Sequence, residues 1–142
     1  MTIRNLSYAG FTSPLADAWR GFGPDVLGAE LADDGADGAV RLRFDAAPWR
    51  LAIHPADHDG LAYLGWDVGD PAALDDALER LSAAGLAIER EPTAGDRPAD
   101  EVAWFVDPFG FRHELAAELP VGAPFVAGRP TKGFVTGEQG LG

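Results

Sequence analysis

The side chains of this chain that are best suited to metal binding or proton transfer are its three histidines and a glutamate beside one of them. His54 and His58 are four residues apart, a spacing that puts two imidazoles on one face of a helix. Pro55 and Gly60 bracket an Asp-rich segment here, which predicts a loop rather than a helix. We therefore expect two solvated loop histidines and not a metal-binding pair.

The third histidine, His113, directly precedes Glu114. Neighbouring residues of a strand point to opposite faces of a sheet. If Glu114 faces the interior, His113 faces away, towards solvent or a packed helix. A buried carboxylate needs a partner, because burying it unpaired costs several kcal/mol or leaves it protonated. Phosphate-binding glycine loops, zincin helices and nucleophile elbows do not occur in the sequence.

Composition narrows the class of protein. The formal net charge is −12 at pH 7, which disfavours nucleic acid and anionic membranes as partners. The chain has no cysteine, so disulfide scaffolds, thiolate metal sites and cysteine nucleophiles are excluded. It contains no signal-peptide pattern and no apolar run of about 18 residues. We expect a soluble, cytoplasmic protein of one domain.

The first half of the chain predicts one strand, a helix and three more strands. The opening strand covers 3–11, and Ser13 is the expected N-cap of the helix, with Pro14 at its first position. An apolar stripe follows at spacings of 4, 3 and 4 residues, formed by Leu15, Trp19, Phe22 and Val26. Gly23-Pro24 predicts a distorted last turn. Strands are expected at 29–32, 40–44 and 49–54.

The second half repeats this order. A strand at 61–68 precedes a helix capped by Asp70-Pro71, and strands follow at 86–89, 102–106 and 112–116. Equivalent features recur at similar offsets: Gly28 and Gly85 are 57 residues apart, Tyr8 and Tyr63 are 55 apart, and both Asp45 with Asp107 and Arg50 with Arg112 are 62 apart. Four similar offsets predict a duplicated β-α-β-β-β unit. Two such modules could form a curved sheet around a cleft.

Several segments resemble the N-terminal domain of type I extradiol ring-cleavage dioxygenases, the 2,3-dihydroxybiphenyl dioxygenase family. They occur in the expected order and are SYAGF (7–11), WRGF (19–22), DAAPWRLAIH (45–54), LAYLGWDV (61–68) and DPFGFRHEL (107–115). The last ten residues, GFVTGEQGLG (133–142), resemble the junction that leads into that family's catalytic domain.

This resemblance implies an α+β protein with the vicinal oxygen chelate fold, and it agrees with the repeat. It implies one domain at 3–117, made of modules 3–54 and 60–117, and a linker at 118–142 towards a catalytic domain that is absent. The Gly- and Pro-rich composition after residue 117 also suits an extended linker. Phe125, Val126, Phe134 and Val135 are apolar for a linker, so we expect the tail to fold back on the domain or to contact another chain.

In that superfamily, metal ligands arise from four inward-facing positions, on the first and fourth strand of each module. The resemblance places Tyr8, Ala52, Tyr63 and Glu114 at these positions, and it implies that they converge. Only the carboxylate is an iron ligand of the usual type, because two-His-one-carboxylate sites need imidazoles. We expect no metal and no catalytic residue in this chain. Glu114 is either a buried relic bonded to the hydroxyl of Tyr8 or Tyr63, or a contact for a small polar ligand.

Three functions remain open at this stage. The first is a non-catalytic N-terminal domain of an extradiol catechol dioxygenase, in which Fe(II) belongs to the full-length enzyme and the partner is its catalytic domain or another copy of the chain. The second is a stand-alone metalloenzyme of the glyoxalase type. The third is a binding module of the bleomycin-resistance type. We favour the first, because the four positions offer one metal ligand instead of three.

Overall fold

The computed structural model describes residues 2–126, which form two compact units. The first unit consists of residues 2–9 and 61–120, and the second consists of residues 10–60 together with the described residues after 120. The junction-like segment 133–142, including Phe134 and Val135, lies outside the described residues. The start of the chain groups with 61–120 rather than with the following helix, and the module boundaries 3–54 and 60–117 stay a prediction.

Strands dominate the described residues, and none of the described helices is long and apolar enough to cross a membrane. The strands are β1 (Asn5–Ser13), β2 (Glu30–Leu31), β3 (Val40–Arg43), β4 (Leu51–Pro55), β5 (Gly60–Gly69), β6 (Glu89–Pro92), β7 (Glu101–Val106) and β8 (Arg112–Ala117). The α-helices are α1 (Trp19–Phe22) and α2 (Pro71–Ala83). The predicted order of strand, helix and three strands therefore occurs twice.

In the first unit, β8 lies between β5 and β7. It pairs with β5 in parallel and with β7 antiparallel, and β7 pairs antiparallel with β6. Leu74 and Ala77 of α2 pack against Val68 and Leu115 of this sheet in an apolar core. Burial of this core supplies the hydrophobic stabilisation that fixes the helix on the strands.

The sequence predicted α2 correctly. The Asp70 carboxylate accepts a hydrogen bond of 2.8 Å from the backbone N–H of Ala73, and Pro71 is the first residue of the helix. Proline fits this position because the first N–H groups of a helix have no intrahelical partner. The chain leaves the helix at Gly85, whose φ of 88° is in the left-handed region that glycine tolerates best.

The second unit contains β2, β3 and β4, which pair antiparallel in that order. Its core is built from Val40, Leu42 and Ile53 of the strands together with Ala16 and Ala29. Gly23 is required at the helical segment, because a Cβ there would lie 2.7 Å from a methyl carbon of Leu42.

The helical segment of the second unit departs from its prediction. It consists of a 3-10 turn (Ala16–Ala18), the short α1 and a π turn (Gly23–Leu27), so the expected distortion at Gly23-Pro24 is confirmed. Ser13 as N-cap is wrong, because β1 continues through Ser13 and its hydroxyl accepts from the N–H of Leu15 in a local turn. Since three helix types follow one another, no single 3.6-residue stripe persists. Trp19 packs on the core, whereas Leu15, Phe22 and Val26 are exposed.

The structure also tests the predicted strand at 86–89 and the predicted equivalent positions of the repeat. The second strand of the second module was predicted at 86–89, which is wrong in its extent, because β6 begins at Glu89 and ends at Pro92. The equivalence of Gly28 with Gly85 is confirmed, since each glycine follows a helical segment and has a positive φ. Asp45 and Asp107 likewise accept from the backbone N–H two residues on, at 3.0 and 2.8 Å.

A buried arginine of β3 joins the segment after residue 120 to the second unit. Arg43 donates to the carbonyls of Ala47 and Ala123, and its side chain forms an ion pair with Glu30 at 3.3 Å. The N–H of Gly122 donates to the carbonyl of Ala46. Residues 121–126 therefore contact their own unit, which is one of the two expected outcomes, although Val126 is 75% exposed; contact with another chain stays a prediction.

Candidate functional site

Glu114 is the most buried charged residue in the described part of the chain, with an exposed fraction of 0%. It lies on β8, opposite Gly65 of β5 on one side and Trp104 of β7 on the other. A carboxylate placed in the middle of a sheet is costly unless charged or polar donors surround it.

Four donor atoms surround this carboxylate. The hydroxyl of Tyr8 donates to Oε2 at 2.8 Å. Arg97 spans both oxygens, with Nε 2.8 Å from Oε2 and Nη2 3.0 Å from Oε1, while Nε of Arg112 lies 2.9 Å from Oε1. Both oxygens therefore accept two hydrogen bonds each, and the Arg97 contact has the two-pronged geometry of the strongest arginine–carboxylate pairs.

The side chain of Tyr8 passes over Gly65 to reach the carboxylate of Glu114. Its side chain is buried on β1, and a Cβ on Gly65 would lie 2.2–2.4 Å from three atoms of its ring. Burial, and then the negative charge of Glu114, raise the pKa of Tyr8 well above its usual value. The phenol is therefore neutral at physiological pH and acts as a hydrogen-bond donor, not as a proton-transfer group or anionic ligand.

Arg97 enters the site from the loop between β6 and β7. Thr93 closes this loop, because its hydroxyl donates 2.5 Å to the carbonyl of Ala99 and its N–H donates to Asp100. The guanidinium carbon lies 3.5 Å from the centre of the Tyr63 ring, a close cation–π contact. Burial alone would lower the pKa of Arg97, but the hydrogen bonds and charge of Glu114 outweigh it and raise the pKa overall.

Arg112 is the second cation. Its guanidinium carbon lies 4.4 Å from the Trp104 ring, and it bridges Glu114 to Glu91 on the neighbouring part of the sheet. Two arginines therefore face two glutamates, and the formal charges balance. A balanced, fully bonded cluster stabilises the interior without leaving a charge for a ligand.

The structure brings three of the four predicted positions together. Tyr8 bonds to Glu114, and the ring centres of Tyr8 and Tyr63 are 6.0 Å apart in an edge-to-face arrangement. Ala52 is fully buried on β4 in the second unit. Convergence of all four in one cleft stays a prediction. The expected hydrogen bond from Tyr8 to Glu114 is present, and contact of Glu114 with a small polar ligand stays a prediction.

Sequence reasoning missed both arginines. A buried carboxylate demands a cation, and this requirement was the available signal. Arg112 was singled out only as a repeat position, although it is two residues from Glu114 and therefore on the same face of β8. Arg97 lies in a Gly- and Pro-containing loop, where sequence pattern gives no direction for a side chain.

The residues around Glu114 do not fit a metal ion. A divalent cation needs free lone pairs, whereas both carboxylate oxygens accept from N–H and O–H donors here. A metal would also meet the positive charge of two arginines. Across residues 2–126, no group of three His, Cys, Asp or Glu side chains is arranged to hold a metal.

The histidines lie apart from this site. His54 is on β4, with Nδ1 2.7 Å from Asp37, so its placement in a solvated loop is wrong: the strand extends to Pro55 and covers most of the side chain. His58 is in the loop that follows, mostly exposed beside Asp57, as expected.

His113 faces away from Glu114, as strand alternation predicts. Its ring stacks between Phe105 and Trp66, at centroid distances of 5.1 and 6.2 Å. The indole N–H of Trp66 donates to Nδ1, and Nε2 lies 2.8 Å from Asp107. Because an indole N–H can only donate, Nδ1 is the acceptor, and the ring N–H that faces Asp107 is the one on Nε2. Its hydrogen bond lowers the pKa of Asp107.

Comparison with known proteins finds relatives of the chain among dioxygenases. Residues 6–56 match the family model described as "Dihydroxybiphenyl dioxygenase BphC D1". A biphenyl-2,3-diol 1,2-dioxygenase of Sphingomonas paucimobilis is 37% identical over 147 residues, which cover 100% of this chain and 49% of that protein. An iron-dependent extradiol dioxygenase of Rhodococcus jostii (strain RHA1) is 39% identical and is covered to 48%.

Comparison with solved structures gives the same relationship as the sequence comparison. The crystal structure of BphC, a halotolerant catechol dioxygenase, superposes with a TM-score of 0.88 at 39% identity, over 99% of this chain and 48% of that one. The chain thus spans about half the length of the relatives it matches. By sequence and by fold, the chain is similar to about half of each of these extradiol dioxygenases, and its fold is the vicinal oxygen chelate fold.

Proposed function

We propose that this chain is the non-catalytic N-terminal domain of an extradiol catechol dioxygenase. The whole enzyme would use Fe(II) and O2 to open a catechol-type ring next to its two hydroxyls, and the iron would lie in a second domain. The observation that carries this proposal is the match of the full chain to about half of each relative. The bonding of Glu114 also supports it, because both carboxylate oxygens are engaged by protein donors.

Its partners would be the C-terminal catalytic domain and further copies of the chain, in the cytoplasm. Exposed apolar side chains support a role in scaffolding. They include Phe109, Val121, Val126 and Leu15, each at least 70% exposed. Large apolar side chains that are this exposed are candidates for contact with another domain or chain. The alternative of a stand-alone glyoxalase-like enzyme or binding module is not favoured, since the relatives reported above are extradiol dioxygenases.

The test compares the chain alone with the chain joined to the catalytic half of the Sphingomonas relative, a biphenyl-2,3-diol 1,2-dioxygenase. Both are supplied with Fe(II) under reducing conditions, and ring cleavage of 2,3-dihydroxybiphenyl is followed by oxygen uptake. We expect cleavage and one bound iron per chain only for the joined protein. Stoichiometric iron and turnover in the 142-residue chain by itself would refute the proposal. The isolated catalytic half is the control for what the joined domain adds.

A further inference from the structure

We propose that the first unit contains a guanidinium site whose resident ligand is Arg97, so that an arginine of the chain itself supplies the cation that the buried carboxylate of Glu114 requires. If Arg97 is removed, the same pocket should accept a free guanidinium ion. This inference concerns the carboxylate cluster alone and does not depend on the activity of the whole enzyme.

The groups around the Arg97 side chain match a guanidinium ion both at its edge and at its face. The edge of the guanidinium meets the two oxygens of Glu114 at 2.8 and 3.0 Å, and its face lies 3.5 Å from the Tyr63 ring. Tyr8 donates to the same carboxylate from another direction. A guanidinium offers parallel N–H donors and a weakly hydrated face, which suit a bidentate carboxylate and an aromatic ring together. A spherical metal ion uses neither the fork nor the ring.

Replacement of this cation by a metal would cost the cluster more than one bond. A metal bound to both oxygens of Glu114 would displace donors of Tyr8, Arg97 and Arg112. Buried donors left without acceptors destabilise a fold. The cluster therefore selects against divalent metals and in favour of the guanidinium.

The base of the loop that delivers Arg97 is closed by contacts of Thr93, and the guanidinium adds one local bond, from Nη1 to the carbonyl of Asp96 at 3.1 Å. Thr93 bonds to Ala99 and Asp100 across its base. Ala94 and Gly95 have positive φ values of 52° and 85°, which define the turn. Because these contacts do not involve the guanidinium, truncation of Arg97 should empty the pocket without dissolving the loop.

The experiment measures thermal unfolding of Arg97→Ala with and without about 20 mM guanidinium chloride, a concentration too low to denature appreciably. Loss of one partner of a buried pair should lower the Tm of this variant by roughly 10–20 °C. Guanidinium should restore on the order of 5 °C, with saturation, while equal sodium chloride restores nothing. Wild-type protein, whose pocket is filled, should not respond.

Arg90→Ala is the matched control. Arg90 lies on β6 in ion pairs with Asp75 and Glu101, and its side chain is 38% exposed. Its truncation should lower the Tm by only a few degrees, because exposed pairs contribute about 0–1 kcal/mol, and guanidinium should not restore the loss. Equal responses of the two variants, or none in Arg97→Ala, would overturn the proposal.

A second measurement covers the case in which Arg97→Ala does not fold. In the wild-type protein, nitrogen NMR of the arginine side chains should show slowed exchange and hindered rotation for the Arg97 guanidinium, but averaged signals for Arg90. Titration with Mn2+ should leave the Tm of the wild-type protein unchanged. A mobile Arg97, or stoichiometric Mn2+ binding that Glu114→Gln abolishes, would show that the arginine is not the resident cation.

Discussion

Gly65→Ala should destabilise the first unit far more than a single methyl group suggests. Gly65 pairs with Glu114 across β5 and β8, and the ring of Tyr8 lies over the space where a side chain would begin. An added Cβ would be 2.2 Å from Cζ and 2.3–2.4 Å from the two Cε atoms of Tyr8. Since these distances are far below van der Waals contact, either the ring or the strand must move.

Two contributions give the size of the expected loss of stability in Gly65→Ala. Overpacking a filled interior costs typically about 1–3 kcal/mol. Displacement of the ring also breaks the 2.8 Å bond to the carboxylate, and a hydrogen bond to a charged group is worth about 1.5–3 kcal/mol. The sum, about 2.5–6 kcal/mol, is a large part of the total of about 5–15 kcal/mol that stabilises an ordinary domain.

Urea unfolding followed by fluorescence would measure the change. Gly21→Ala is the control, because Gly21 lies in α1 and a Cβ there would meet only an oxygen of Asp25, at 3.9 Å. Alanine in a helix interior should stabilise by about 0.5–1 kcal/mol. The double variant Gly65→Ala/Tyr8→Ala should lose less than the sum of the single variants, because the second change makes room for the first.

A Gly65→Ala protein within about 1 kcal/mol of the wild type would refute this reasoning, since overpacking alone predicts more. Additive single and double variants would do the same. Either result would mean that the Tyr8 ring does not occupy the space above Gly65, and the described approach of Tyr8 to Glu114 would then be wrong.

Three further outcomes are expected. Asp70→Ala should lower the unfolding free energy by about 1 kcal/mol in urea, and Asp70→Asn should retain most of it, because either oxygen can cap α2. Arg43→Met should speed hydrogen exchange of the Gly122 amide at least about tenfold, since the variant lacks the buried guanidinium that donates to the carbonyl of Ala123. The pKa of Asp107 is lowered by its bond to His113, so its contribution is present above about pH 4 and lost as pH falls through the folded pKa. The stability gap between wild type and Asp107→Asn should therefore shrink from pH 6 to pH 3, and a constant gap would contradict the assignment.

The elements that local chemistry specifies could be predicted from the sequence. Asp70-Pro71 and Gly85 bound α2, and its Leu spacing gives the buried face. The repeat was visible because turns such as those at Asp45 and Asp107 use the same side-chain bond to the backbone. Such signals lie within a few residues of the structure that they determine.

Other features depend on contacts between residues distant in the chain. No local rule predicts that Arg97 reaches Glu114, because a loop side chain takes its direction from the tertiary fold. The prediction for the first helical segment was wrong for a related reason. Its apolar spacing suggested one amphipathic helix, but the 3-10 and π turns around α1 change the period, and the chain packs Trp19 rather than the full stripe. Tertiary context overrides such a pattern.

The bond between Tyr8 and Glu114 also constrains when the protein can fold during synthesis, because its partners are 106 residues apart. At about 5–20 residues per second, a nascent Tyr8 waits roughly 5–20 s for its carboxylate to be translated. Its carboxylate partner is missing throughout that time, whereas β2, β3 and β4 are complete within the first 55 residues. Slower translation through the codons of β6 and β7 would lengthen the wait, so the yield of folded chains should depend on elongation rate more strongly than the size of the protein suggests.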